Sequence, residues 1–96
     1  MARRKVSEMQ IRVRLRYENE LGAIPALSPA ARKLLSAQGF LDYFLEIRML
    51  FPTYEDAYEM LEEQVERITG KRMYSEYDSF RTVYLRWKKN AHRSER

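Results

Sequence analysis

Apolar residues recur at helical spacing along most of this chain. The firmest signal is Tyr54, Ala57, Tyr58, Leu61, Val65 and Ile68, at offsets 0, 3, 4, 7, 11 and 14, which is one face of an amphipathic helix. Thr53 precedes it as N-cap, Glu55 and Asp56 sit in the first turn, and Gly70 ends it. A second stripe, Tyr77, Phe80, Val83, Tyr84 and Trp87, predicts a helix from about Glu76, capped by Ser75 with Asp78 three residues on. Lys71 to Tyr74 form the connection between the two. Ser28–Pro29 starts another helix, running to about Gln38 with Ala31, Leu34 and Leu35 inward, where Gly39 ends or kinks it. Leu41 to Phe51 is apolar on most sides, which predicts the most buried helix of the set, stopped by Pro52.

The segment after Ser7 has two readings. As a helix it has a capping box of Ser7 and Gln10, a stripe of Met9, Val13, Tyr17 and Leu21, and Gly22 in the position just past its end. As a strand, I-R-V-R-L-R-Y alternates, with Ile11, Val13, Leu15 and Tyr17 on one side and Arg12, Arg14 and Arg16 on the other. The helix is favoured because nothing later in the chain reads as a partner strand, and a lone strand leaves its backbone groups unpaired. The strand reading needs a second copy of the chain. In that form Ile11 to Leu21 resembles the basic strand of the ribbon–helix–helix DNA-binding proteins, a resemblance that implies strands paired across a dimer and set in the major groove. The following G-A-I-P-A-L-S-P does not continue that family's helix pattern, so no residue role is carried over.

With only three glycines and three prolines, the 96 residues have little material for turns. The fold expected is therefore all-α: one domain over residues 1–96, a small bundle of four to five short helices. A basic N-terminal arm (1–6) is expected to fray, and a polar tail (91–96) to be loose. There is no cysteine, which excludes disulfides and thiolate chemistry and fits a reducing, cytoplasmic setting. No apolar run is long enough to cross a bilayer, and M-A-R-R-K-V-S-E lacks the apolar stretch of a signal peptide.

Charge changes the picture more than composition does. The net +4 conceals a segregation: residues 1–16 carry +5, residues 17–41 balance, residues 42–66 carry −7 and residues 67–96 carry +6. Such asymmetry bears on partners rather than on fold. The only histidine, His92, falls near the chain end with no evident partner for general-base work. No serine has a nucleophile-elbow context, and the glycines are isolated. No catalytic residue, metal ligand or cofactor is therefore expected. Glu55, Asp56, Glu59, Glu62, Glu63 and Glu66 all read as an outward, solvated face with no histidine among them, unlike the inward carboxylate sites of metal bundles.

The leading expectation is a small non-enzymatic nucleic-acid-binding accessory or regulatory protein. Arg81, Arg86, Lys88 and Lys89 of the last helix would meet phosphates, Lys71 and Arg72 would flank them with Arg93 nearby, and Arg12, Arg14 and Arg16 would form a second patch. Helix, glycine turn and basic helix also resemble a helix-turn-helix in outline. Counted from Gly70, however, the inward positions of the second helix fall on the polar Glu76 and Ser79. The alternative is a protein–protein module, an adaptor or inhibitor. It would use Glu59, Glu62 and Glu66, or a residual apolar strip of Ile11 and Leu15 that would suit a homodimer.

Overall fold

Ser7 opens the first helix as its capping box requires. Its Oγ accepts from Gln10 N at 3.1 Å, and its own N–H donates to Gln10 Oε1 at 2.9 Å. In this computed structural model, which describes residues 3–94 and side chains as far as Ala91, the segment after Ser7 is helical. The chain is an all-α bundle: α1 Glu8–Gly22, α2 Pro29–Leu34, α3 Ala37–Ile47, a 3-10 turn Arg48–Leu50, α4 Tyr54–Thr69 and α5 Tyr77–Ser94. There is no strand among the described residues.

Several boundaries differ from the sequence reading, each for a local reason. Gly22 is the last residue of α1 rather than a left-handed cap, and Ala23 closes the helix through Glu20 and Leu21 carbonyls. Met9 drops out of the α1 stripe, 67% exposed, because Gln10 turns inward and donates to the Met49 carbonyl at 3.1 Å. The helix expected over 29–38 breaks after Leu34. Ser36 Oγ donates to the Lys33 carbonyl at 2.8 Å, accepts from Gly39 N at 3.0 Å and so starts α3 as its N-cap. Gly39 is therefore not a terminator. It is the point where α2 and α3 nearly touch, since a Cβ there would lie 1.8 Å from the Lys33 carbonyl oxygen. α5 begins at Tyr77, one residue later than expected, and Ser75 Oγ faces Ser79 Oγ at 3.4 Å.

α3 is central, as expected, with Phe40, Phe44 and Ile47 fully buried. Around it Phe40, Phe44, Tyr58, Tyr74, Phe80 and Tyr84 form a continuous cluster of rings. Most meet edge to face, at 5.7 Å for Phe40–Tyr74, 4.7 Å for Phe44–Phe80 and 5.3 Å for Phe44–Tyr84. Burying each large side chain contributes about 1.5–3 kcal/mol, and quadrupole-matched pairs add to that. α1 is fastened at its far end by Arg67 of α4. Its Nη2 donates to the carbonyls of Leu21 at 2.9 Å and Ile24 at 3.3 Å. α1 has no basic residue in its own last turn, so Arg67 supplies the positive charge that its C-terminal end lacks.

Where it is described, the basic arm lies against the bundle. Arg4 N donates to the Pro52 carbonyl at 2.9 Å, its guanidinium lies 4.7 Å from the Tyr54 ring centre, and Arg3 pairs with Asp56 at 3.3 Å. At the other end α5 continues to Ser94, through most of the expected loose tail. Residues 1, 2, 95 and 96 lie outside the described residues, as do the side chains of His92 and Arg93.

Burial also sets the alkaline limit of the fold. It raises the phenols of Tyr58, Tyr74, Tyr77 and Tyr84 above their ordinary value near 10. Released into the unfolded chain, these phenols titrate near pH 10, while the folded state holds them neutral. Stability is thus fully present below about pH 10 and declines as pH rises beyond it. In an alkaline titration, phenolate absorbance is expected to rise together with loss of helical circular dichroism. A phenolate signal that saturates well before the helix melts would contradict this.

Candidate nucleic-acid interface

α5 buries the rings the sequence assigned to the core. Phe80 is fully enclosed, Tyr77 and Tyr84 are nearly so, and Val83 and Trp87 are partly covered. The four basic residues of the same helix, Arg81, Arg86, Lys88 and Lys89, are all exposed. Among the described residues none of these four is in an ion pair. They do not form one patch. Arg81 and Lys88, two turns apart with the half-exposed Leu85 between them, line a groove of about 320 Å³ completed by Tyr54, Tyr77 and Tyr84. Arg86 and Lys89 lie outside that lining.

Charges of both signs lie near the groove. Burial first of all raises the Tyr77 phenol; Arg81 acts to lower it, and Glu55, Tyr84 and Asp78 act to raise it. Its walls are held in place. Tyr54 packs edge-on against Phe44 at 5.8 Å and against Tyr84 at 5.9 Å. Arg48 backs the same wall, its guanidinium 5.7 Å from the Tyr84 ring centre and 6.0 Å from that of Trp87. Its Nε and Nη1 are out of solvent with no hydrogen-bond acceptor, so the contact is carried by the ring faces.

The other residues of the expected phosphate set have different surroundings. Arg72 is committed internally: Nη2 donates to Glu59 Oε1 at 2.8 Å and to Tyr58 Oη at 3.2 Å, and Nη1 donates to Glu59 Oε2 at 3.2 Å. Those bonds hold its guanidinium firmly charged, its pKa raised by Glu59 first and Tyr58 second. Lys71 is exposed and lines a different groove with Leu35, Val65 and Met73. Arg12 and Arg16, four apart, share a face of α1, but Arg14 does not join them. On a helix, residues two apart face different ways. Arg12 and Arg16 are exposed, whereas Arg14 folds over Phe51 at 5.2 Å. Arg14 Nε is 3.5 Å from Glu18 Oε1, near enough for attraction but off line for a hydrogen bond.

The acidic face expected on α4 is also broken up. Glu62 does not point outward. It is 1% exposed, its Oε1 accepting from Met73 N at 2.7 Å and its Oε2 from Tyr74 N at 2.9 Å and from Tyr58 Oη. Glu59 is held by Arg72, which leaves Glu66 as the one exposed, unbridged member of the three. Of the apolar pair on α1, Ile11 is partly covered and Leu15 is 49% exposed.

Sequence reasoning missed Tyr54 and Leu85 as groove residues, because one was read as core and the other fell among the basic arc. It also missed Arg48 altogether. The available signal for Glu62 was its position one turn after Tyr58, at the edge of the apolar stripe rather than opposite it.

No family model, no curated protein and no solved structure matches this chain. The reading of the site therefore rests on its own geometry. No helix among the described residues is long and apolar enough to cross a membrane, and no group of three or more His, Cys, Asp or Glu side chains among them could hold a metal ion.

Proposed function

We propose that this chain binds nucleic acid through α5, with Arg81, Arg86, Lys88 and Lys89 meeting phosphates. One observation carries the reading. Four cations of a single helix, Arg81, Arg86, Lys88 and Lys89, are exposed and, among the described residues, outside any ion pair; Arg12, Arg16 and Lys71 share both properties on other elements, while Arg3, Arg14 and Arg72 each sit beside a carboxylate. Charges left unneutralised on one helix favour a polyanion, because each phosphate contact releases condensed counterions.

Fluorescence anisotropy with labelled DNA at two salt concentrations tests this. Four phosphate contacts give an expected loss of about a hundredfold in affinity for a fourfold rise in salt. The triple variant Arg86→Ala, Lys88→Ala, Lys89→Ala is expected to lose at least about tenfold in affinity and to flatten the salt slope by roughly 0.9 per contact removed. Unchanged affinity in that variant would refute the assignment.

A second reading, a protein–protein module, is favoured by the exposure of Met9 and Leu15 on α1. In its acidic form it is weakened, since Glu59 and Glu62 are already engaged within the chain. Its homodimer form predicts a sedimentation coefficient that rises with concentration and reverts in Leu15→Lys. A concentration-independent monomer would exclude it.

A further inference from the structure

We infer that the N-terminal arm belongs to the same polyanion-binding face as α5, with the Arg4 guanidinium taking a backbone phosphate beside those held by Arg81 and Lys88. The inference rests on the nucleic-acid reading above and adds a contact from a second element of the chain. It starts from how Arg4 is held. Its Nη1 donates to the Arg48 carbonyl at 3.2 Å and lies 3.0 Å from Met49 Sδ, while the guanidinium covers the Tyr54 ring at 4.7 Å. The two hydrogen bonds use one nitrogen only. Among the described residues nothing accepts from Nε or Nη2, and Arg4 is in no ion pair. That edge of a guanidinium is a fork of parallel N–H groups, the shape that grips a phosphate through two bonds. A guanidinium already fixed at its other end has less freedom to lose on binding.

Position makes Arg4 part of the α5 face. The Tyr54 ring beneath it packs on Tyr84 at 5.9 Å and lines the groove that Arg81 and Lys88 border. Arg48, whose carbonyl anchors Arg4, sets its own guanidinium 5.7 Å from the Tyr84 ring centre. Arg4, Arg48, Arg81 and Lys88 thus gather around one pair of rings, and among the described residues none of the four is in an ion pair. The carboxylates of Glu55 and Asp78 act at Tyr77, whereas at Tyr84 the charged side chain that acts is Arg48. The surplus of positive charge therefore lies toward the arm. Like charges grouped in this way repel one another in the free chain, and an arriving phosphate relieves the repulsion. The rings support the cluster without meeting the ligand, since Tyr84 is buried and Tyr54 lies under Arg4. Arg3 stands apart, beside Asp56 at 3.3 Å. A duplex carries one charge per about 1.7 Å of its axis, so a face built from two elements meets several phosphates at once.

The test follows a labelled mixed-sequence DNA duplex by anisotropy over a range of salt concentrations. Arg4→Gln removes the charge and keeps a polar amide; it is expected to flatten the salt slope by roughly 0.9 and to weaken binding about fivefold at low salt. Arg4→Lys keeps the charge but not the fork, and is expected to retain the slope with a loss of only about two- to threefold. Thermal melts accompany both variants. If Arg4 merely fastened the arm, both would melt earlier and neither would change the slope, which overturns the inference. In the unmodified chain the Arg4 Nε–H resonance is expected to shift when duplex is added, a readout that does not depend on any variant folding; an unmoved resonance overturns the inference as well. An unchanged slope in Arg4→Gln, while the α5 triple variant still loses affinity, leaves the proposed function standing without this addition. Absence of duplex binding by the unmodified chain at low salt overturns both.

Discussion

Replacing Glu62 by glutamine is expected to destabilise the protein by about 1–3 kcal/mol, the range for leaving a buried hydrogen-bond donor without its acceptor. The carboxylate fits its site because every partner is a donor: Met73 N, Tyr74 N and Tyr58 Oη all point at it. A glutamine of the same shape can offer an acceptor to one side only. Its amide N–H₂ then faces a backbone N–H, and one donor loses its partner whichever way the amide turns. Glu62→Ala fares no better, since it strands two buried N–H groups beside a cavity. For a domain of this size each kcal/mol moves the melting temperature by about 4–8 °C, so a drop on the order of 10–15 °C is expected in a thermal melt. The control is Glu63→Gln at the exposed neighbouring position, expected to change stability by no more than about 0.5 kcal/mol. Similar melting temperatures for the two variants would mean that the buried carboxylate does not hold the loop.

Gly39→Ala is expected to cost about 3 kcal/mol, toward the top of the range for overpacking. The added Cβ would meet backbone, the Lys33 carbonyl oxygen at 1.8 Å and its carbon at 2.6 Å, and backbone held by Ser36 cannot swing aside as a side chain would. α2 and α3 would have to separate, uncovering the fully buried Leu34 and Phe40. The same change at Gly22 carries the opposite sign. There the nearest atom is Gln64 Oε1 at 3.8 Å, and alanine stabilises a helical position by about 0.5–1 kcal/mol relative to glycine. Denaturant melts of the two variants, compared at equal slope, check both signs at once. A Gly39→Ala protein as stable as the parent would show that the α2–α3 contact is looser than described.

What could be read from the sequence was what the chain decides locally. Ser7, Ser28 and Thr53 cap the helices they were expected to cap, and Gly70 closes α4 in the left-handed conformation at φ 83°. The ring stripe of α5 lies in the core because no domain of this size can leave that much aromatic area wet. What the sequence left unread has two sources: the break at Ser36 is local, while the surroundings of Glu62 and Arg72 depend on residues eleven to thirteen positions away. Ser36 looked like a helix interior because the break it makes needs no proline, only the Lys33 carbonyl and the Gly39 amide. Glu62 looked solvated because its partners, two loop amides, carry no side-chain signature. Arg72 lies beside Glu59, thirteen positions earlier, a pairing that residue type alone does not show. The candidate site suffered in the same way. Residue type placed four cations on α5, but only the packed helices show that two of them share a groove with Tyr54 from another element.

Arg67 fastens α1 by bonding carbonyls more than forty positions away. The first helix therefore cannot peel off as an independent flap: losing it would leave the Arg67 guanidinium and the end of α1 without each other. A cut in the exposed stretch from Pro25 to Leu27 would break the covalent link between α1 and α2 but leave this clasp closed, so the two fragments should remain associated.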